Sequence, residues 1–249
     1  MKAKVIMVAS RKGGVGKTTV TANLSLSLAK LGYSTLMVDC DFGMRCLDIV
    51  CGLSDKVAYD VCDCILRGIS PERAAVRDPR CDRLWFIAGP YRYTGGIDGD
   101  GFRAFLESAS EALSLDYVVI DTHGGEGAEL SLAAPCADLA LVVSTHQEAS
   151  IRAAEETARR LSEMGVKKAR LVVNSYDIRA AHKGRLPGVI ELIDRTRVQL
   201  VGVIPRDDTM TERQIEGSLA AENKKSRSGR AYANLARRIS GESVPLSVE

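Results

Sequence analysis

Residues 10–19 read SRKGGVGKTT, between an apolar run at 5–9 and a helical pattern that places Val20, Leu24, Leu28 and Leu31 on one face. A short strand, a glycine-rich turn and a helix, in that order, make a phosphate cradle. The backbone N–H groups of Gly13, Gly14, Val15 and Gly16 turn toward an anion, the helix N-terminus adds a partial positive charge, and Lys17 adds a full one. Thr18, followed by Thr19, is placed to offer its hydroxyl to a magnesium ion bridging two phosphates. A nucleoside triphosphate is the expected occupant.

The run departs twice from the plain G-x-x-x-x-G-K-[ST] pattern. Arg11 stands where the first glycine belongs, so Gly13 and Gly14 must supply the backbone freedom, and a second lysine, Lys12, lies inside the loop. A second cation is redundant within one subunit unless it serves phosphates elsewhere. The segment KGGVGKTT resembles the deviant Walker A motif of the MinD/ParA ATPases, and the likeness runs from Lys4 to about Gly241, nearest the MinD branch. That resemblance implies an ATP-dependent homodimer in which Lys12 reaches the nucleotide of the other subunit.

Chemistry in an open parallel sheet gathers at the carboxyl ends of its strands. Val38 is followed by Asp39, Cys40 and Asp41, two carboxylates one residue apart that can hold a magnesium-bound water and orient an attacking one. The family has a D-x-D switch here, followed by G-[LM]-R-N-L-D. Gly43, Met44, Arg45, Leu47 and Asp48 match it, while Cys46 replaces the asparagine. Val119 and Ile120 lead into Asp121, a Walker B arrangement whose carboxylate accepts from the water shell of magnesium. His123 and Gly124 stand where the family segment D-[ST]-P-A-G has proline and alanine, and His123 is expected to be a solvated loop histidine. Asn174 resembles the adenine-reading residue of the family, and Pro205 with Asp207 its I-P-x-D loop beside the base, which together favour ATP over GTP. The resemblance therefore implies metal contacts from Thr18, Asp39 and Asp121, water positioning by Asp41, and transition-state stabilisation by Lys12.

Apolar, β-branched runs at 5–9, 35–38, 84–87, 117–120, 139–143, 171–173 and 200–204 read as seven strands. Helical patterns occupy 18–31, 57–69, 102–113, 151–164, 189–195 and 230–239, and 89–101 is the most irregular connection. Continuous apolar strands alternating with helices predict a single α/β P-loop NTPase domain, its mainly parallel sheet covered on both faces. Residues 1–241 are expected to form that ATPase domain and 242–249 a short tail.

Lysine and arginine number 34 against 32 acidic residues, so bulk charge gives no reason to expect a polyanion. The basic run at 224–230 reads as a solvated helix start, and no nucleic-acid partner is expected. No apolar run approaches the ~20 residues of a membrane span and no signal peptide is evident, so the expected location is cytoplasmic, or peripheral at the inner face of the cell membrane. MinD proteins end in a basic amphipathic helix that lies on the bilayer. The tail 242–249 has no such helix, which argues against membrane contact unless the chain continues beyond Glu249. Seven scattered cysteines predict reduced thiols; Cys62 and Cys64 could hold a soft metal, but residues two apart on a helix point away from each other. The resemblance implies a switch in division-site selection or spatial positioning in bacteria, a weak ATPase until an effector of MinC or MinE type binds. The alternatives are DNA partitioning of the ParA kind, flagellar placement, metal loading through Cys62 and Cys64, and nucleotide binding without catalysis.

Overall fold

The computed structural model describes residues 3–125 and 127–246. Eight strands, β1 (Lys4–Ala9), β2 (Thr35–Cys40), β3 (Val76–Arg77), β4 (Leu84–Ile87), β5 (Tyr117–Thr122), β6 (Leu139–Ser144), β7 (Ala169–Tyr176) and β8 (Leu200–Pro205), form one sheet. They pair in the order β3-β4-β2-β5-β1-β6-β7-β8. Every pairing is parallel except the β3–β4 edge. The expected seven strands are all present. The eighth, β3, is two residues long and too short to leave a periodic signal; the Arg77 guanidinium lies over the Trp85 ring opposite it.

The central strands are apolar without alternation because both their faces are covered. In β1, Val5, Met7 and Ala9 join one helical layer and Ile6 and Val8 the other. Helices Gly99–Ala112, Glu148–Glu163 and Val189–Thr196 bury Phe102, Ile151 and Leu192 on the first side. Helices Lys17–Lys30 and Arg227–Ile239 bury Leu24, Leu28, Tyr232 and Leu235 on the second. Each such fully buried side chain is worth roughly 1.5–3 kcal/mol of transfer free energy, so both faces have to stay covered.

Helix Lys17–Lys30 corrects the expectation of a single apolar face. All of it except Thr18 and Lys30 is buried. Its buried polar residues are satisfied internally: Asn23 donates to the Thr19 carbonyl (2.8 Å), Ser25 to Thr21 (2.7 Å) and Ser27 to Asn23 (2.8 Å). The helix expected over 57–69 is shorter, Val61–Arg67, because Asp60 and Asp63 close a reciprocal cap at its start. Asp98 likewise starts the helix Gly99–Ala112 three residues early, through Gly101 N–H (2.7 Å). Ser226 caps Gly229 N–H (3.0 Å), so the basic run spans the start of helix Arg227–Ile239.

Strand order positions the site. β5 inserts between β2 and β1, so Asp39 and Asp121 are direct neighbours in register, two strands and one strand away from the end of β1 where the glycine loop begins.

Candidate nucleotide-binding site

The loop after β1 reaches helix Lys17–Lys30 through Gly16, whose φ of 93° puts it in the left-handed region. A side chain there would be strained, and a Cβ would meet Asn174 Nδ2 at 2.2 Å. Lys17 is buried at the helix start. Burial pulls its pKa down, and the charges of Asp121 and Asp41 act against that. Gly124, beyond β5, lies against the same loop: a Cβ on it would meet Gly13 Cα and Lys17 Nζ, each at 3.2 Å. The N–H groups, the ammonium and the helix N-terminus thus share one end of the sheet.

Three carboxylates face this cradle in different ways. Asp39 is buried and uses both oxygens on backbone, accepting from Asp41 N–H (2.8 Å) and Leu47 N–H (3.1 Å). It therefore holds the loop that follows it. Asp121 accepts from Thr21 Oγ1 (3.3 Å), and its buried Oδ2 has no partner among the described residues. Burial, followed by the charge of Asp121, holds the Asp39 carboxyl well above the ordinary carboxylate range, and burial does the same to Asp121. Asp41 Oδ1 lies 2.6 Å from His123 Nδ1.

A magnesium ion with a nucleotide fits these residues. The orphaned Asp121 oxygen, the nearby Thr18 hydroxyl and the neighbouring Asp39 are hard oxygen donors, and the buried Asp121 Oδ2 is left for a cation. Among the described residues no cluster of three or more His, Cys, Asp or Glu forms a complete metal cage. Magnesium needs none, since it keeps waters and shares its shell with phosphates.

A cleft of about 460 Å³ continues from the loop and brings Gly14, Gly16 and Thr19 together with Asn174, Pro205 and Asp207. Asn174 sits where the β7–β8 register breaks between Val173 and Tyr176, and its Nδ2 donates to the Val15 carbonyl (2.8 Å). Asp207 accepts from Thr209 N–H (3.1 Å) and Oγ1 (2.7 Å) and from Ser228 Oγ (2.5 Å), which ties the cleft wall to the last helix.

A family model described as the CobQ/CobB/MinD/ParA nucleotide binding domain matches residues 6–220. The septum site-determining protein MinD of Bacillus subtilis is 34% identical over 249 residues, spanning 98% of this chain and 92% of that protein. The chain belongs to the CobQ/CobB/MinD/ParA family. MinD of Synechocystis sp. is 32% identical over 245 residues, spanning 98% of this chain and 91% of that one. A solved structure, the MinC:MinD cell division protein complex of Aquifex aeolicus, superposes with a TM-score of 0.91 at 31% identity, over 98% of both chains.

Within this CobQ/CobB/MinD/ParA domain several contacts exceed what sequence spacing could reveal. His123 is not a free loop histidine, because its ring is held by Asp41. Arg11 pairs with Glu156 (2.8 Å) and donates its N–H to Thr157 Oγ1 (3.0 Å), fastening the phosphate loop to helix Glu148–Glu163. Lys12, half-buried next to it, donates its N–H to Ser10 Oγ (3.3 Å). Gln214 Nε2 donates to Thr19 Oγ1 (2.8 Å). His146 lines the cleft beside Asn174, stacked on Tyr176 with centroids 4.9 Å apart. Its sequence neighbours carried no signal for that position. Cys62 and Cys64 are half-buried against the core, and burial pushes their thiols up to about 11 and about 12, which disfavours the thiolates a soft metal needs.

Proposed function

We propose that this protein is an ATP-dependent, magnesium-requiring switch of the MinD kind, which dimerises on ATP, hydrolyses it and acts in division-site selection or spatial positioning. One observation carries the reading: two adjacent buried carboxylates, one with an orphaned oxygen, lie beside a lysine-bearing phosphate loop. Such buried charge is costly until a cation compensates it, and a phosphate-bound magnesium is the cation this loop would bring.

In this reading Gly13, Gly14, Val15, Gly16, Lys17, Thr18 and Thr19 bind the phosphates. Asn174, Pro205 and Asp207 shape the base end. Thr18, Asp39 and Asp121 would hold magnesium, which when bound supplies positive charge to the phosphate oxygens. Asp41 positions the attacking water, and Lys12 stabilises charge on the nucleotide of a second copy. Identity of 31% and full-length superposition with the MinD chain of a MinC:MinD complex support a homodimer with a protein partner of MinC type. The names of the Bacillus and Synechocystis relatives support division-site placement as the setting.

Light scattering with ATP, with ADP and without nucleotide tests the reading, together with phosphate release. Only ATP is expected to produce a dimer. Lys12→Ala is expected to bind ATP and lose turnover by orders of magnitude, as trans-acting cations can contribute about 10³–10⁵ in rate. A Lys12→Ala protein that dimerises and hydrolyses like the parent removes the trans role, and a parent that stays monomeric with ATP removes the switch.

A further inference from the structure

We propose that His123 is a positioning residue for hydrolysis, acting through Asp41: its Nδ1–H fixes one carboxylate oxygen so that the other faces the attacking water. The proposal rests on the ATPase reading above. A carboxylate oxygen only accepts, so at 2.6 Å the imidazole Nδ1 is the donor of a short, charge-assisted hydrogen bond.

Both partners of this bond are held from behind. The Asp41 backbone is pinned because its N–H donates to Asp39 Oδ1 (2.8 Å). On the other side, Thr122 Oγ1 donates to the Val8 carbonyl (2.8 Å), anchoring the residue before the histidine to β1. Gly124, the residue after it, leaves no room between itself and Gly13 or Lys17 for even a methyl group at ordinary van der Waals distance. The ring thus rides on a segment clamped between β1 and the phosphate loop. It carries the position of that loop to the carboxylate 82 residues away in sequence. Asp41 is also close enough to Lys17 for its charge to act on that ammonium. An aspartate pivoting freely about its χ angles would present its oxygens to water in several directions, whereas one tethered by Nδ1 presents one.

The test compares the parent with His123→Asn, His123→Gln and His123→Leu by phosphate release at varied ATP with magnesium. Asparagine places an N–H donor where Nδ1 stands, one bond from Cγ. Glutamine places its donor further out, and leucine has none. His123→Leu and His123→Gln are expected to lower kcat about 10- to 100-fold, the usual span for loss of an orienting partner, with KM for ATP within about twofold. His123→Asn is expected to recover kcat to within about threefold of the parent. A second readout needs no nucleotide: ¹⁵N-histidine NMR, simplified because the chain has only 3 histidines. The parent is expected to show His123 protonated at Nδ1, and Asp41→Ala to shift that resonance. Unchanged or faster turnover in His123→Leu, failure of His123→Asn to outperform His123→Gln, or identical His123 spectra in the parent and Asp41→Ala each overturn the proposal. If the parent hydrolyses ATP while His123→Leu matches it, this inference alone fails. If the parent hydrolyses none, the ATPase reading fails with it.

Discussion

Replacing Asp48 by alanine strands a cation inside the loop that links the carboxylates to the next helix. Arg45 is 6% exposed and Asp48 fully buried, and Arg45 Nε lies 2.9 Å from Asp48 Oδ2. Removing one partner of a buried ion pair costs ~3–5 kcal/mol, because the remaining charge has lost its compensation. The Arg45 guanidinium lies 4.0 Å from the Tyr91 ring in the parent and keeps that contact in the variant, so the cation–π term cancels in the difference. The net loss is then ~3–5 kcal/mol, or ~6–20 °C in Tm for a domain of this size. The same pair closes the turn ahead of Leu47, whose N–H is held by Asp39, so the damage should extend to the carboxylate segment. Urea unfolding followed by far-UV circular dichroism gives the number, provided m is unchanged. The double variant Arg45→Met/Asp48→Leu leaves no charge in the pocket and is expected to recover stability to within ~1 kcal/mol of the parent. A single-variant cost below ~1 kcal/mol, or a double variant as unstable as the single one, would refute the buried-pair reasoning.

Nucleotide-free protein should lose stability as pH rises. Asp39 and Asp121 have folded-state pKa values raised above the ordinary 3.8, so their contribution is complete below that value and is lost as pH climbs through neutrality. Thermal melts at about pH 5 and about pH 8 check the slope, and Asp121→Asn should flatten it. Gly16→Ala combines left-handed strain of ~1–2 kcal/mol with loss of the Asn174–Val15 hydrogen bond, ~1 kcal/mol, and should weaken ATP binding in calorimetry as well as lower Tm. Gly13→Ala is the control for folding: its Cβ meets nothing within 4 Å, and its Tm should stay at the parent value. ATP with magnesium at ~100 times Kd should stabilise the parent by ~2.7 kcal/mol, and Asp121→Asn should abolish most of the magnesium-dependent part.

The strands were legible because burial on both faces imposes a run of apolar residues that needs no partner to be recognised. β3 was not, since two residues carry no period and its pairing with β4 depends on Val76 meeting Phe86. The polar residues of helix Lys17–Lys30 hid its complete burial, because Asn23, Ser25 and Ser27 satisfy themselves on the preceding turn. His123 read as a loop side chain because the composition of its segment says nothing about a residue 82 positions earlier.

The chain alone determined the phosphate loop, since glycines, lysine and threonine at fixed spacing bind an anion by local geometry. It also determined the two-sided sheet, through the apolar character of its strands. Tertiary structure decided which carboxylates face that loop. Inserting β5 between β2 and β1 sets Asp39 beside Asp121, and the contacts His123–Asp41, Arg11–Glu156 and Asn174–Val15 join residues 82, 145 and 159 positions apart. Short-range sterics and burial are written in neighbouring residues, whereas electrostatic pairing across strands exists only once the sheet order is set.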